Sequence, residues 1–579
     1  MRRQLAGLII IGAAVRLGLA AVVGLGVDES YMIAVGRRIS LSYYDHPPLA
    51  FWLAHGSAVL LGGESHLAVR APFVLLFAGT TALMYGLGSR LFGVDEGWLA
   101  ALLLNLSAVF SVSTASWVLP DGPLMFGLTA SAYCLARVLF DPAEDGHAWR
   151  WWLAAGVAAG IAALSKYQAS LFMASVLLFL VTRPAQRRWL RRPEPYAAVL
   201  VMLVLFAPVV VWNDAHGWVS IAFQLGRGVS PAHITVGRRL GALAQNIMGQ
   251  AAWVLPWIWA PLIVILAGTL RRRPIDDRQW FLACLAVVPI ALFTAVSLGG
   301  QAGLPHWPAS GYLFLFPLAG DAIQRYQRAT AADYRKARAA ALTRGPATAG
   351  DGRPGTEPPR IRVRDPMQPV LVWAVGSVVG FCLLVALAAS AAITGWPVRV
   401  APALFRNGDP TLEALDWTDL RRGLDSLGVL QRSRTFVAGT SWVQSGKVAY
   451  ALGPAVPVVC LSVDPRGFGY LYDERTFVGE DAVIIDRVPA RHDVMGLYGA
   501  YFDHLTTIGR IGIRRRGRPA IDVAVYLGQG FQRPYPRAAP PRLATANGPA
   551  TDILSTNGAP NAAPNGAPGA DSGADHRGR

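Results

Sequence analysis

Up to residue 394 the chain alternates long apolar runs with short polar loops. An apolar helix of about 20 residues crosses the roughly 30 Å hydrocarbon core of a bilayer. On that measure eleven segments read as membrane spans: about 5–25, 69–91, 97–116, 122–140, 150–165, 168–182, 196–212, 251–270, 280–298, 305–323 and 369–394. The first follows Met1-Arg2-Arg3, as a signal peptide would. It lacks an A-x-A cleavage site and runs on into Asp28-Glu29-Ser30-Tyr31, so it reads as a retained span. After span eleven the period changes. Residues 397–535 alternate β-like runs (Thr435–Gly439, Val456–Ser462, Ala482–Asp486, Ile521–Leu527) with a helical stretch over Trp442–Leu452, the pattern of a small α/β domain. Residues 536–579 hold too few bulky apolar residues for a core and are expected to be disordered. The basic linker 324–368 is expected to be mobile.

Composition sharpens this picture. Of the 579 residues, 53% are hydrophobic and 15% charged, against about 25% charged in a soluble domain. An ordinary soluble enzyme and a wholly disordered chain are both excluded. A net charge of +17 would suit nucleic acid only as a contiguous basic surface, and most of it lies between apolar runs, so no nucleic-acid partner is expected. Cys134, Cys284, Cys382 and Cys460 form neither a disulfide framework nor a metal pair. Charge placement orients the spans. With the N-terminus in the cytoplasm, inside loops 183–195, 271–278 and 324–368 carry five, four and ten Lys or Arg, and the outside loops only Arg37, Arg38, Arg227, Arg238 and Arg239. The odd span count puts the α/β domain outside.

The acids Asp28, Glu29, Asp45, Glu64, Asp121 and Asp214 gather at outer loops and span mouths. Carboxylates beside hydrocarbon are costly unless paired or hydrated, so this grouping marks a site. Plainer readings stand beside it: Asp28 and Asp121 as helix caps, Lys166 in Ser165-Lys166-Tyr167 as a snorkelling lysine, and Trp212, Trp218 and Trp307 as belt anchors. His216 and His306 stand at the same outer interface. Arg16, inside span one, reads as a buried partner for another helix.

The sharpest stretch is Asp28-Glu29-Ser30-Tyr31 followed by Tyr43-Tyr44-Asp45-His46-Pro47-Pro48-Leu49. With Pro120-Asp121-Gly122-Pro123-Leu124 and Ser165-Lys166-Tyr167, it resembles the bacterial family 39 membrane glycosyltransferases over about residues 5–325. That group contains protein O-mannosyltransferases and aminoarabinose transferases of lipid A, and the HPPL form is most similar to its galacturonosyltransferase-like branch. The resemblance implies a GT-C fold with interfacial helices in a large first outer loop, 27–68. It implies inverting transfer from a polyprenyl-phosphate sugar to an envelope lipid, polysaccharide or protein, on the outer face of a bacterial inner membrane. By the same resemblance Asp28 is the base or acceptor-orienting carboxylate, Glu29 supports it, and Asp121 helps to hold acceptor or donor. Lys166 is the donor-phosphate cation, and Tyr31, Tyr44, His46 and His306 line the substrate. Asp45 and His216 match a divalent-metal position, although those transferases carry Glu-Lys where this chain has Asp45-His46.

Chemistry supports that division. A lipid phosphate is already a good leaving group, so the enzyme must neutralise its charge and align or deprotonate the nucleophile. No P-loop or strand-linked GxGxxG appears. Two other classes remain open: a transporter or flippase of lipid-linked glycans, whose acids would couple protons, and a membrane-anchored binding module. The acids lie at one face rather than near the midplane, which favours the enzyme.

Overall fold

The computed structural model describes residues 1–141, 146–227, 234–301, 303–343, 368–406, 408–489 and 493–538. The membrane part begins with α1 (Arg2–Val22), then α2 (Val27–Gly36) and α3 (Leu49–Leu60) of the first outer loop, and α4 (His66–Leu91). It continues through α5 (Val94–Leu106), α6 (Asp121–Phe140), α7 (Ala148–Ala163), α8 (Ala169–Thr182), α9 (Glu194–Ala215) and the short α10 (Val219–Gly226). α11 (Val236–Val254), α12 (Pro256–Arg271), α13 (Asp277–Ser297), α14 (Ala309–Tyr312), α15 (Leu315–Thr343) and α16 (Gln368–Thr394) complete it.

Each of the eleven apolar stretches is largely helical. Among the described residues six helices are long and apolar enough to cross a membrane, and bent pairs at 182–184 and 254–256 raise this to eight at most by length and composition. The third stretch breaks after Leu106 and resumes as a π-helix, Val109–Thr114. The tenth begins at Ala309, and its helix runs on to Thr343. The first twenty residues of the expected linker are therefore helical. Ala, Arg and Gln dominate that segment and are good helix formers, a signal that its charge obscures. The rest of the linker, 344–367, and the tail from 539 lie outside the described residues. Arg537, expected in a disordered tail, instead pairs with Glu474 at 2.7 Å.

The C-terminal domain follows α17 (Trp396–Val400) and comprises α18 (Thr418–Ser426), β1 (Thr435–Gly439), α19 (Trp442–Leu452), β2 (Val458–Cys460), β3 (Asp481–Val488), α20 (Val494–Tyr498), β4 (Phe502–Arg515) and β5 (Arg518–Phe531). The sheet order is β2-β1-β3-β5-β4; β1 pairs in parallel with β2 and β3, while β5 is antiparallel to β3 and β4. A turn at Arg516-Gly517, both with positive φ, closes the β4–β5 hairpin. β4 escapes the sequence pattern because it is an edge strand with mostly exposed or half-exposed positions.

This domain does not stand apart. One hydrophobic cluster joins Tyr31, Val35 and Phe51 of the outer loop to Leu420, Val448, Ile485 and Val525 of the sheet domain. Gly446 of α19 lies so close to α2 that a Cβ there would stand 3.0 Å from the Tyr31 backbone. Arg37 donates to the Ala449 carbonyl at 2.8 Å and pairs with Glu64, and Tyr450 donates to the Glu64 carbonyl at 2.9 Å. Lys447, buried, donates to the carbonyls of Leu25 and Leu415. Burial lowers its amine to about 8.

Candidate active site

Arg70 organises the entry to the site. From α4 it donates to the carbonyls of Ala20, Val23 and Gly24 at 3.2, 2.6 and 2.9 Å, satisfying acceptors that the end of α1 leaves open. Its other donors grip Glu29 at 2.8 and 2.5 Å. Glu29 in turn accepts from the backbone N–H groups of Gly26 and Val118 at 2.8 and 3.0 Å. Burial alone would raise its carboxyl, but Arg70 and these donors hold it below the usual range. Glu29 is 2% exposed and fully committed. Through these contacts it ties the start of α2 to α4 and to the turn before α6, beside Asp28.

Asp28, beside it in the first turn of α2, behaves differently. Its carboxylate is exposed, and among the described residues nothing hydrogen-bonds to it. Protein crowding around it raises its pKa from the ordinary aspartate value, against the pull of Arg466 and Arg227, while Glu29 and Asp121 add to the rise. A carboxylate of raised basicity, unpaired and open to solvent, suits proton removal from an incoming hydroxyl.

Asp121 opens α6 and Lys166 follows α7. They meet in a buried pair, with Nζ donating to both carboxylate oxygens at 2.9 and 3.0 Å. The lysine is neither snorkelling nor free: at 7% exposure its charge is already balanced by Asp121. Leu49 N–H donates to the Leu164 carbonyl at 3.0 Å, tying the start of α3 and the His46-Pro47-Pro48 turn to the end of α7 near this pair. Burial drives His46 well below the usual histidine range, with Lys166 and Arg227 adding, and lowers His306 to about 4. Both rings are neutral at neutral pH.

Asp45 accepts from the Tyr31 hydroxyl at 3.1 Å and faces Arg466 at 4.0 Å. Tyr31 also accepts from Gly467 N–H at 2.9 Å, and burial raises its hydroxyl well above the tyrosine range. Tyr44 lies between Phe223 and Tyr470, with centroids at 4.9 and 5.6 Å. His216 stacks on Trp212 at 4.0 Å and donates from Nδ1 to the Trp212 carbonyl at 2.7 Å. The expected metal position does not fit this arrangement. Asp45 is hydrogen-bonded by Tyr31, and among the described residues no three His, Cys, Asp or Glu side chains converge as a metal group.

The structure thus gathers Asp28, Asp45, His46, Asp121, Lys166 and His306 into one polar cluster, with Tyr31 behind it and Tyr44 and His216 on an adjoining aromatic wall. Three arginines were not anticipated. Arg70 positions Glu29, Arg227 at the end of α10 lies 5.1 Å from the Trp307 ring, and Arg466 comes from the C-terminal domain. Only Arg227, an outside-loop cation, carried a signal in the sequence.

Residues 45–212 match the dolichyl-phosphate-mannose-protein mannosyltransferase family. Across 254 residues the chain is 27% identical to the lipopolysaccharide core galacturonosyltransferase RgtA of Rhizobium johnstonii, a match spanning 43% of this chain and 48% of that protein. A stretch of 141 residues is 34% identical to dolichyl-phosphate-mannose–protein mannosyltransferase 1 of Saccharomyces cerevisiae, 21% of this chain and 17% of that one. The chain therefore spans about half the length, or less, of these relatives. ArnT from Cupriavidus metallidurans, bound to undecaprenyl phosphate, superposes with a TM-score of 0.58 at 14% identity, over 90% of this chain and 97% of that one. The chain has the fold of that ArnT, the GT-C fold expected from the sequence. The apo form of the same ArnT gives 0.56 at 16% identity over a similar extent. The family match over residues 45–212 includes Asp121 and Lys166.

Proposed function

We propose that this chain is an integral-membrane glycosyltransferase that moves a sugar from a polyprenyl-phosphate donor to an envelope acceptor, with inversion at the sugar carbon. The observation that carries the reading is the contrast between the acids: Asp28 exposed and, among the described residues, unpaired, Asp121 and Glu29 locked in buried ion pairs. A transporter needs acids that exchange partners; here the acid available for chemistry is at the edge of the cluster. Similarity to sugar transferases, and an ArnT of like fold bound to undecaprenyl phosphate, support a lipid-linked donor.

In this reading Asp28 takes the acceptor hydroxyl's proton as the oxygen attacks the sugar. The phosphate departs toward Arg227, whose positive charge offsets the charge it gains. Lys166 and Asp121 form a rigid, neutral floor that keeps His46 and His306 in place, and Lys166 serves the phosphate only by sharing Asp121. The acceptor is an envelope lipid, polysaccharide or protein on the outer face of the inner membrane. The test is release of undecaprenyl phosphate by the full chain in nanodiscs, supplied with undecaprenyl-phosphate sugars and envelope extract. Release that requires both the donor and Asp28 supports the reading; none with any donor counts against it.

A further inference from the structure

Arg466 brings charge from the C-terminal domain into the candidate site. It sits at a left-handed backbone position, φ +47, at the head of a 3-10 turn, Arg466–Tyr470. Three contacts fix it there. Its guanidinium packs over Trp442 at 3.8 Å from the ring centroid, the next residue's N–H donates to Tyr31, and a Cβ at Gly467 would stand 2.6 Å from the Tyr31 hydroxyl. Such close packing leaves the turn little freedom.

The guanidinium is nevertheless poorly partnered. Its side chain is 13% exposed; Asp45 and Asp464 stand at 4.0 and 3.8 Å, beyond hydrogen-bond reach, and among the described residues its buried Nε has no hydrogen-bond partner. Arg227 makes no hydrogen bond or salt bridge among the described residues, and the two guanidiniums lie 5.6 and 5.8 Å from the same Phe223 ring. Burial lowers Arg227, and the repulsion of Arg466 lowers it further. Guanidinium donors without hydrogen-bond partners in a partly buried site are unfavourable unless a ligand completes them. His46 adds no positive charge here, since burial keeps it neutral.

We propose that Arg466, delivered by the C-terminal domain, completes the donor-phosphate site with Arg227, so that both domains bind the polyprenyl phosphate. This rests on the lipid-donor reading above. In transfer the bond from sugar C1 to phosphate oxygen breaks with its electron pair kept by that oxygen. The acceptor oxygen bonds to C1 and its proton passes to Asp28. A phosphodiester of one negative charge becomes a monoester of nearly two, and the second arginine matches that added charge.

The test compares binding of undecaprenyl phosphate, uncharged undecaprenol and inorganic phosphate to the full chain in nanodiscs. For Arg466→Gln the expected result is at least a tenfold loss of undecaprenyl phosphate affinity with undecaprenol binding unchanged, as for a lost charged hydrogen bond. Arg466→Lys should keep part of the affinity. Trp442→Leu, which removes the platform but not the charge, should show a smaller loss of the same selectivity, and it serves if Arg466→Gln does not fold. Equal undecaprenyl phosphate affinity in the folded variants overturns the proposal and leaves the donor reading standing. Equal losses for both lipids also overturn it, because they report the apolar groove rather than the phosphate. A parent chain that does not prefer undecaprenyl phosphate over undecaprenol, or that prefers inorganic phosphate, overturns the proposal and the donor reading together.

Discussion

At the residue scale, neighbouring acids are sorted by their partners. Asp28 and Glu29 are adjacent, yet among the described residues one is exposed without a hydrogen bond and the other is gripped by Arg70. The motif made both visible in the sequence. Their division was not, because Arg70 lies in an apolar helix and its partner is 41 positions away. The Asp121–Lys166 pair carries a prediction. Lys166→Ala leaves a buried carboxylate alone and should destabilise the protein by about 3–5 kcal/mol. Asp121→Asn combined with Lys166→Met removes both charges and should recover most of that loss in thermal unfolding. A Lys166→Ala protein as stable as its parent would contradict the pairing.

His306 supplies the pH dependence at this scale. Its value falls from 6.5 to about 4 on burial, so between those limits the unfolded chain binds the proton more readily. Its contribution to stability is complete above about pH 6.5 and is lost as pH falls toward 4. In His306→Gln, unfolding measured across that window should vary less steeply with pH. An unchanged slope would mean that the ring is not buried as described.

Among the elements, the contact between α2 and α19 decides most. Its small residue, Gly446, lets the helices meet at the Tyr31 backbone. Gly446→Ala should therefore separate the C-terminal domain from the outer loop, read as faster proteolysis between residues 400 and 440 and a lower unfolding temperature. An unaltered cleavage rate would show that the helices are not so close. The sequence made α19 legible to its ends and β1 likewise, because period and flanking turns agree. It did not reveal this docking, since Tyr31 and Gly467 are 436 positions apart. Apolar residues on α2 read as one more interfacial face; nothing local says that a sheet domain covers them. Nothing local in the sequence therefore singles out Arg466.

For the whole molecule, the apolar pattern made the membrane fold legible, while breaks inside it were hidden. Ser107 interrupts the third stretch without proline or glycine, and the bend at Leu255–Pro256 lies within a continuous apolar run. Orientation remains a proposal from the charge asymmetry. A cysteine near Arg466 should be labelled by an impermeant reagent on intact cells, and one near Ala347 should not; the reverse pattern would place the cluster on the wrong face. The central claim is that Asp28 drives sugar transfer to an envelope acceptor. Mass spectrometry of envelope lipids, glycans and proteins tests it most directly, comparing cells with the parent chain, with Asp28→Asn at equal membrane levels, and with neither. The account predicts a sugar-mass addition present with the parent and reduced about a hundredfold or more by Asp28→Asn, the scale of general-base catalysis. The same addition at the same level in all three would contradict it.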